Sequence, residues 1–342
     1  MDITDNLTTL QFENALSNQQ RELLYLRKEA HAIVTTIIAH CSALAIQLAA
    51  ISKDVFNSKF RRKAIDRVTS TSDIGNIFKI GIIGCGRLGT QILNSLLKFA
   101  SLPNDAIHVS TRRPEQLAWA SQKGVNVYFD NVKLVKNCQL IILCCLPSNI
   151  NDVVHYVKRN IPSSHLIFSF VAGYPAEMVG TLIGTNNVIK PEFAFRKGVD
   201  WNVQCSPIDS LERKSTLNKI SVFGTNRGDC PVHLHESIFD FSVLYIINFC
   251  IESGSSINTI NEILQSNVFF ENDSFRAEEI YENYSKIKLP ENCTQFEKPI
   301  NISQLRPAAT IFEKLESNKL LKTHHAEFCR VFQRKNYWNE MT

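Results

Sequence analysis

The sequence predicts an α/β protein: a Rossmann-type doubly wound parallel sheet with an N-terminal helical arm and a C-terminal mostly helical region. Three observations predict it. The glycine-rich turn Gly84-Cys85-Gly86-Arg87-Leu88-Gly89 directly follows the apolar run Ile80, Ile82, Ile83 and directly precedes a helical pattern over 90–100. That is a strand entering a tight turn that opens a helix, the context in which three glycines at this spacing cradle a dinucleotide. Short apolar runs then alternate with helical patterns as far as residue 190. One of those runs, 140–146, is apolar throughout, as a strand is when helices cover both its faces. A chain of 342 residues, 44% hydrophobic and 20% charged, holds more than one domain's worth of core. The expected division is an arm over 1–74, a nucleotide-binding unit over 75–195, a C-terminal region over 196–330 and a tail over 331–342.

The arm reads as one long helix or two consecutive ones over 19–60, with Leu23, Ile33, Ile37, Leu44 and Leu48 at helical spacing. No Lys, Arg, Asp or Glu occurs from 30 to 52, a length that raises a membrane span. His31, His40, Ser42 and Gln47 interrupt that stretch, and Arg27-Lys28-Glu29 and Lys53-Asp54 flank it closely. A helix facing a core or a partner is therefore the reading, with a membrane segment as the alternative. The run Lys59, Arg61, Arg62, Lys63, Arg67 reads as a solvated helix end, and the small polar stretch 69–75 as a linker.

Net charge and cysteine usage narrow the partners. A net charge of +4 is too mild to point to nucleic acid. The ten cysteines show neither C-x-x-C pairing nor metal-ligand spacing, so no metal is expected. Cys144 and Cys145 read as buried reduced thiols within the 140–146 strand. The start MDITDNLTTL has no basic and apolar leader pattern, so the expected location is cytoplasmic and the five Asn-x-Ser/Thr triplets are read as unused.

Within the nucleotide-binding unit, strands are expected at 107–110, 125–128, 140–146, 166–170 and 187–190. Helices are expected at 114–122, 131–136, through Val153, Val154 and Val157, and at 175–183. The end of the second strand sets the choice of cofactor. An NAD site places an acid there to hold the ribose 2′-hydroxyl. This chain has Ser110-Thr111-Arg112-Arg113 and no acid before Glu115. Hydroxyls and a planar guanidinium bind a 2′-phosphate, which a carboxylate repels. NADP(H) is the expected cofactor, with Ser110, Thr111 and Arg112 at the 2′-phosphate and Gly84, Cys85, Gly86, Arg87, Leu88 and Gly89 at the pyrophosphate.

Four stretches together resemble the amino-terminal half of the pyrroline-5-carboxylate reductases: GIIGCGRLG at 81–89, STRRP at 110–114, LCCLPSNI at 143–150 and SFVAGYPAEMV at 169–179. The resemblance implies an NADP-binding unit in which Leu146 and Pro147 lie near the ribose or nicotinamide, and Ala172 and Gly173 lie under the nicotinamide. It implies reduction of a cyclic imine, a small-molecule substrate, and a homodimer built by the C-terminal helices. The likeness runs over 78–190. Beyond it, Lys190-Pro191-Glu192-Phe193-Ala194-Phe195 stands where the family has M-P-N-T-P, and the family's late S-P-G-G-T-T loop has no counterpart.

In the C-terminal region a strand is expected at 220–223, an apolar helix at 235–251 ended by Gly254, and a helix at 257–264 capped by Ser256. Helical pieces are expected near 276–287, 308–322 and 327–334. Weak catalytic candidates are Lys190 and Glu192, at the expected substrate-facing loop, and His233 and His235 as proton donors; a salt-bridged pair and packed histidines are the blander readings. Two functions follow: an NADP-dependent oxidoreductase acting on a small imine or carbonyl, or a non-catalytic NADP-binding protein with a regulatory or assembly role.

Overall fold

The computed structural model describes residues 78–195 except 101, residues 237–306 except 270–274 and 292, and the shorter pieces 16–20, 22–23, 232–234, 310–311 and 313. It also describes 34, 38, 41–42, 44–45, 48–49, 51–53 and 55. The expected linker at 69–75, the basic run, the strand at 220–223, the helix at 327–334 and the tail lie outside these residues.

Six strands make one parallel sheet: β1 (Ile80–Ile83), β2 (Ile107–Ser110), β3 (Asn126–Tyr128), β4 (Leu140–Leu143), β5 (Leu166–Ser169) and β6 (Val188–Ile189). Their order is β3-β2-β1-β4-β5-β6, with every neighbouring pair parallel. The order reverses between β1 and β4, so the crevice beyond their carboxyl ends is where such sheets take a ligand. The connections run through α1 (Arg87–Phe99), α2 (Ala118–Gln122), α3 (Asn131–Asn137), α4 (Ile150–Val157) and α5 (Ala176–Ile183).

Alternation along the strands divides the apolar residues between two faces. Ile80, Ile82, Leu140, Ile142, Leu166 and Phe168 join a large core with Ile92, Leu93 and Leu96 of α1. Ile141, Leu143 and Ile167 join a smaller core with α3, α4 and α5. The large core does not stop at the sheet. It continues into α6 (Ser237–Glu252), α7 (Ile257–Leu264), α8 (Ala277–Ser285) and the arm residues Ile38, Cys41, Leu44, Leu48, Ile51 and Val55. α6 is buried at every position from Ser237 to Asn248, the signature of a helix enclosed on all sides. The arm thus faces the core, as expected of it. Ser42 and Ser95 share a 2.7 Å hydroxyl contact between the arm and α1. Among the described residues no helix is long and apolar enough to cross a membrane.

Polar side chains fix how the C-terminal helices meet the sheet edge. Asn248 is fully buried on α6; its amide donates to Asn187 Oδ1 and to Ile300 O, each at 2.7 Å, and its oxygen accepts from Ile300 N at 2.7 Å. Tyr245 donates to Ser164 O at 3.1 Å. Buried Asp240 accepts from Tyr284 Oη and, at 3.1 Å, from Ile311 N where the last described helical segment begins.

Several expected boundaries are corrected. α1 starts at Arg87 rather than Thr90, so the helix begins inside the glycine motif. β4 ends at Leu143, three residues early, because Leu146 to Asn149 turn in a 3₁₀ step; Cys144 and Cys145 therefore follow the strand rather than lie in it. A short antiparallel pair, β7 (Phe193–Phe195) and β8 (Val232–Leu234), was not foreseen. The C-terminal apolar helix is described from Ser237, and 235 and 236 lie outside the described residues.

Two predictions follow from this packing. Asn248→Leu leaves several buried backbone and amide partners unpaired and lowers unfolding free energy by about 2–4 kcal/mol, read as a lower denaturant midpoint at unchanged slope. His108 and His165 are both buried, and burial pushes each from 6.5 down to about 4. Each is neutral in the fold while the unfolded chain takes up a proton below 6.5, so stability is full above 6.5 and falls as pH drops towards 4. Over that window the loss is on the order of a few kcal/mol. His108→Asn and His165→Asn should each flatten part of that slope in urea melts run across it.

Candidate dinucleotide site

The site is built from the carboxyl ends of the strands, starting with the turn after β1. Gly84 holds φ at +89°, and its N–H donates to Ser110 O at 3.0 Å, tying the turn to the end of β2. A Cβ on Gly84 would stand 2.9 Å from Cys145 N, and one on Gly89 only 2.4 Å from Gly84 O. Both positions are closed by backbone. Gly86 is the opposite case: a Cβ there would meet nothing within 4 Å. Gly86 caps α1 without any side-chain bond, so the first-turn N–H groups have no capping side chain. Two glycines shape the loop and the third keeps open the approach that a phosphate needs.

At the end of β2 the hydroxyls separate. Ser110 is buried, and its Oγ donates to Asn131 Oδ1 at 2.7 Å. Thr111 is half-buried, with its N–H on Tyr128 O at 3.1 Å, whereas Arg112 and Arg113 are exposed. Ser110 therefore acts together with Asn131, a residue that sequence reasoning treated only as the start of a helix. Asp130 caps that helix by accepting from Lys133 N at 2.9 Å. Behind this rim His108 Nδ1 lies 2.9 Å from Tyr128 Oη, and its Nε2 has no partner among the described residues. Besides burial, the positive charges of Lys79 and Lys133 hold the ring neutral.

On the other side of the switch point, Leu146 is 64% exposed and Pro147 is open beside it. Cys85, Cys144 and Cys145 surround the base of the glycine loop, and burial pushes all three thiols up. They stand as protonated packing groups, and among the described residues no cluster could hold a metal. After β5, Val171 is buried while Ala172 and Gly173 are exposed; Gly173 has φ +76° and open space where a Cβ would be. Lys190 is half-buried and donates from Nζ to Val171 O at 2.5 Å. Burial lowers its pKa, partly countered by the negative charge of exposed Glu192. The structure thus brings Lys190 to the turn after β5. His233 lies in β8 opposite Ala194, and His235 lies outside the described residues.

Arg112, Gly86 and Gly173 each follow the carboxyl end of a strand of the parallel sheet. Residues 79–173 match the family model described as "NADP oxidoreductase coenzyme F420-dependent". Over 236 residues the chain is 27% identical to NADP-dependent oxidoreductase domain-containing protein 1 of Mus musculus, covering 68% of this chain and 62% of that protein. It is 29% identical over 171 residues to a pyrroline-5-carboxylate reductase of Methanosarcina acetivorans, covering 47% of this chain and 60% of the relative. The chain spans less than two thirds of the length of these relatives. Among solved structures it is similar to the Plasmodium falciparum pyrroline carboxylate reductase with NADP bound, at 16% identity and TM-score 0.31, covering 76% of this chain and 97% of that one. An imine reductase from Aspergillus terreus is similar at 18% identity and TM-score 0.28, covering 34% and 41%.

The two kinds of glycine in the loop after β1 can be told apart by experiment. Gly89→Ala drives a methyl into the Gly84 carbonyl and should lower the melting temperature by several degrees, about 2 kcal/mol or more. Gly86→Ala projects into open space and should leave the melting temperature unchanged while weakening NADPH binding by about tenfold or more, measured by fluorescence titration.

Proposed function

We propose that the chain binds NADP(H) in the crevice between β1 and β4 and uses it to reduce a small imine or carbonyl compound. The observation that carries this reading is the capless, open N-terminus of α1 facing the same rim as exposed Arg112 and Arg113. Gly84, Cys85, Gly86, Arg87, Leu88 and Gly89 would hold the pyrophosphate, with main-chain N–H groups and the positive helix end as the donors. Thr111, Arg112 and the Ser110–Asn131 pair would hold the 2′-phosphate. Leu146 and Pro147 would exclude water from one side of the reactive ring, and Ala172 and Gly173 would support it. The cofactor, when bound, supplies the hydride; the protein supplies position and a dry surface.

The names of the relatives support the substrate class, since they include pyrroline-5-carboxylate reductases. The departures from family sequence after residue 190 leave the particular substrate to be found by assay. Loss of reduced-nicotinamide absorbance is followed with a panel of cyclic imines and small carbonyl compounds. Turnover of one or more is the expected result. Saturable NADPH binding with no turnover across the panel would instead support a non-catalytic NADP-binding role. Arg112→Asp should weaken NADPH binding by about 100-fold, the loss of one or two charge-assisted hydrogen bonds, and leave NADH binding within about threefold. Equal losses for both nucleotides would defeat the 2′-phosphate assignment.

A further inference from the structure

The turn after β5 is held by a side chain from the neighbouring edge strand. Lys190 directly follows β6, and its Nζ reaches across to the carbonyl of Val171 at 2.5 Å. Val171 is fully buried, yet the next two residues are exposed, and Gly173 takes the left-handed conformation with φ +76°. The chain therefore swings from interior to open rim within two residues, at the point where Lys190 grips it. A half-buried ammonium is a costly way to satisfy one carbonyl, because burial disfavours its charge. A charged donor also fixes an acceptor more firmly than a neutral one. Beyond Gly173 there is open space where a Cβ would be, room for a flat group to lie against bare backbone.

We infer that Lys190 is a positioning residue for the nicotinamide half of the dinucleotide, setting the Val171 carbonyl and through it the path of Ala172 and Gly173. The inference rests on the NADP(H) reading and adds a division of labour to it. The ends of β1 and β2 grip the phosphates, and a lysine from the sheet edge shapes the surface under the ring. Lys190 acts through the main chain rather than by touching the substrate.

The test compares two ligands on the full chain by calorimetry. NADPH carries the nicotinamide; 2′-phospho-ADP-ribose lacks it and keeps every phosphate contact. In K190M, which matches lysine in reach but has no donor, NADPH affinity should fall about tenfold while 2′-phospho-ADP-ribose affinity stays within about twofold. K190R, which can again donate to Val171, should recover NADPH affinity to within about threefold of wild type. K190L, which likewise has no donor and is included in case K190M is poorly soluble, should show the same split as K190M. Melting temperatures are taken for each variant. Equal losses for the two ligands, or no loss for either, would overturn the positioning role. Failure of the wild type to bind either ligand would overturn the NADP(H) reading itself, a result distinct from an unchanged ratio in K190M.

Discussion

The constraint on which the site rests is between main chain and main chain: Gly89, in the first turn of α1, lies so near the Gly84 carbonyl that a methyl would stand 2.4 Å from it. That approach seats the helix on the turn after the central strand. The seating brings Ile92, Leu93 and Leu96 down onto Ile80 and Ile82, so the large core begins there. It also decides where the helix starts, and hence which N–H groups lack partners and which way they face. The candidate rim is the outward side of a packing requirement.

Among the described residues, the arm and C-terminal helices share one continuous interior with that sheet. The arm and the C-terminal helices share the core on the α1 face, while α3, α4 and α5 build their own on the other. Polar groups then fix the register that apolar contact leaves loose. Asn248 joins α6 to Asn187 beside β6 and to the segment at Ile300, and Lys190 joins the end of β6 to the turn after β5. The edge strand that shapes one end of the crevice is itself held from behind by the C-terminal region.

Much of this was legible in the residues. The strand at Ile107–Ser110 and the helix at Ile257–Leu264, with Ser256 accepting from Thr259 N, fall where local pattern places them. Apolar alternation and capping chemistry are local, and local signals survive into the fold. What escaped notice depends on neighbours distant in sequence. Cys144 reads as strand because it is apolar, and its N–H does still bond Ile83 O at 2.9 Å, but the chain turns away before Pro147. Asn131 looks like a helix opener until Ser110, twenty-one positions earlier, is seen to donate to it. Lys190 reads as a substrate-facing charge or as half of a pair with Glu192 until the fold places the Val171 carbonyl beside it. The pairing of Phe193–Phe195 with Val232–Leu234 closes too long a loop for periodicity to reveal.

The enclosure of α6 bears on how the chain is made. A helix without a polar side has no stable place in water, and its cover comes from both directions along the sequence: the arm and sheet before it, α7, α8 and Ile311 after it. During synthesis the first half is out of the ribosome before the second exists. For that interval the stretch from Ser237 to Cys250 is an uncovered apolar surface, the kind of segment that aggregates before its cover is made.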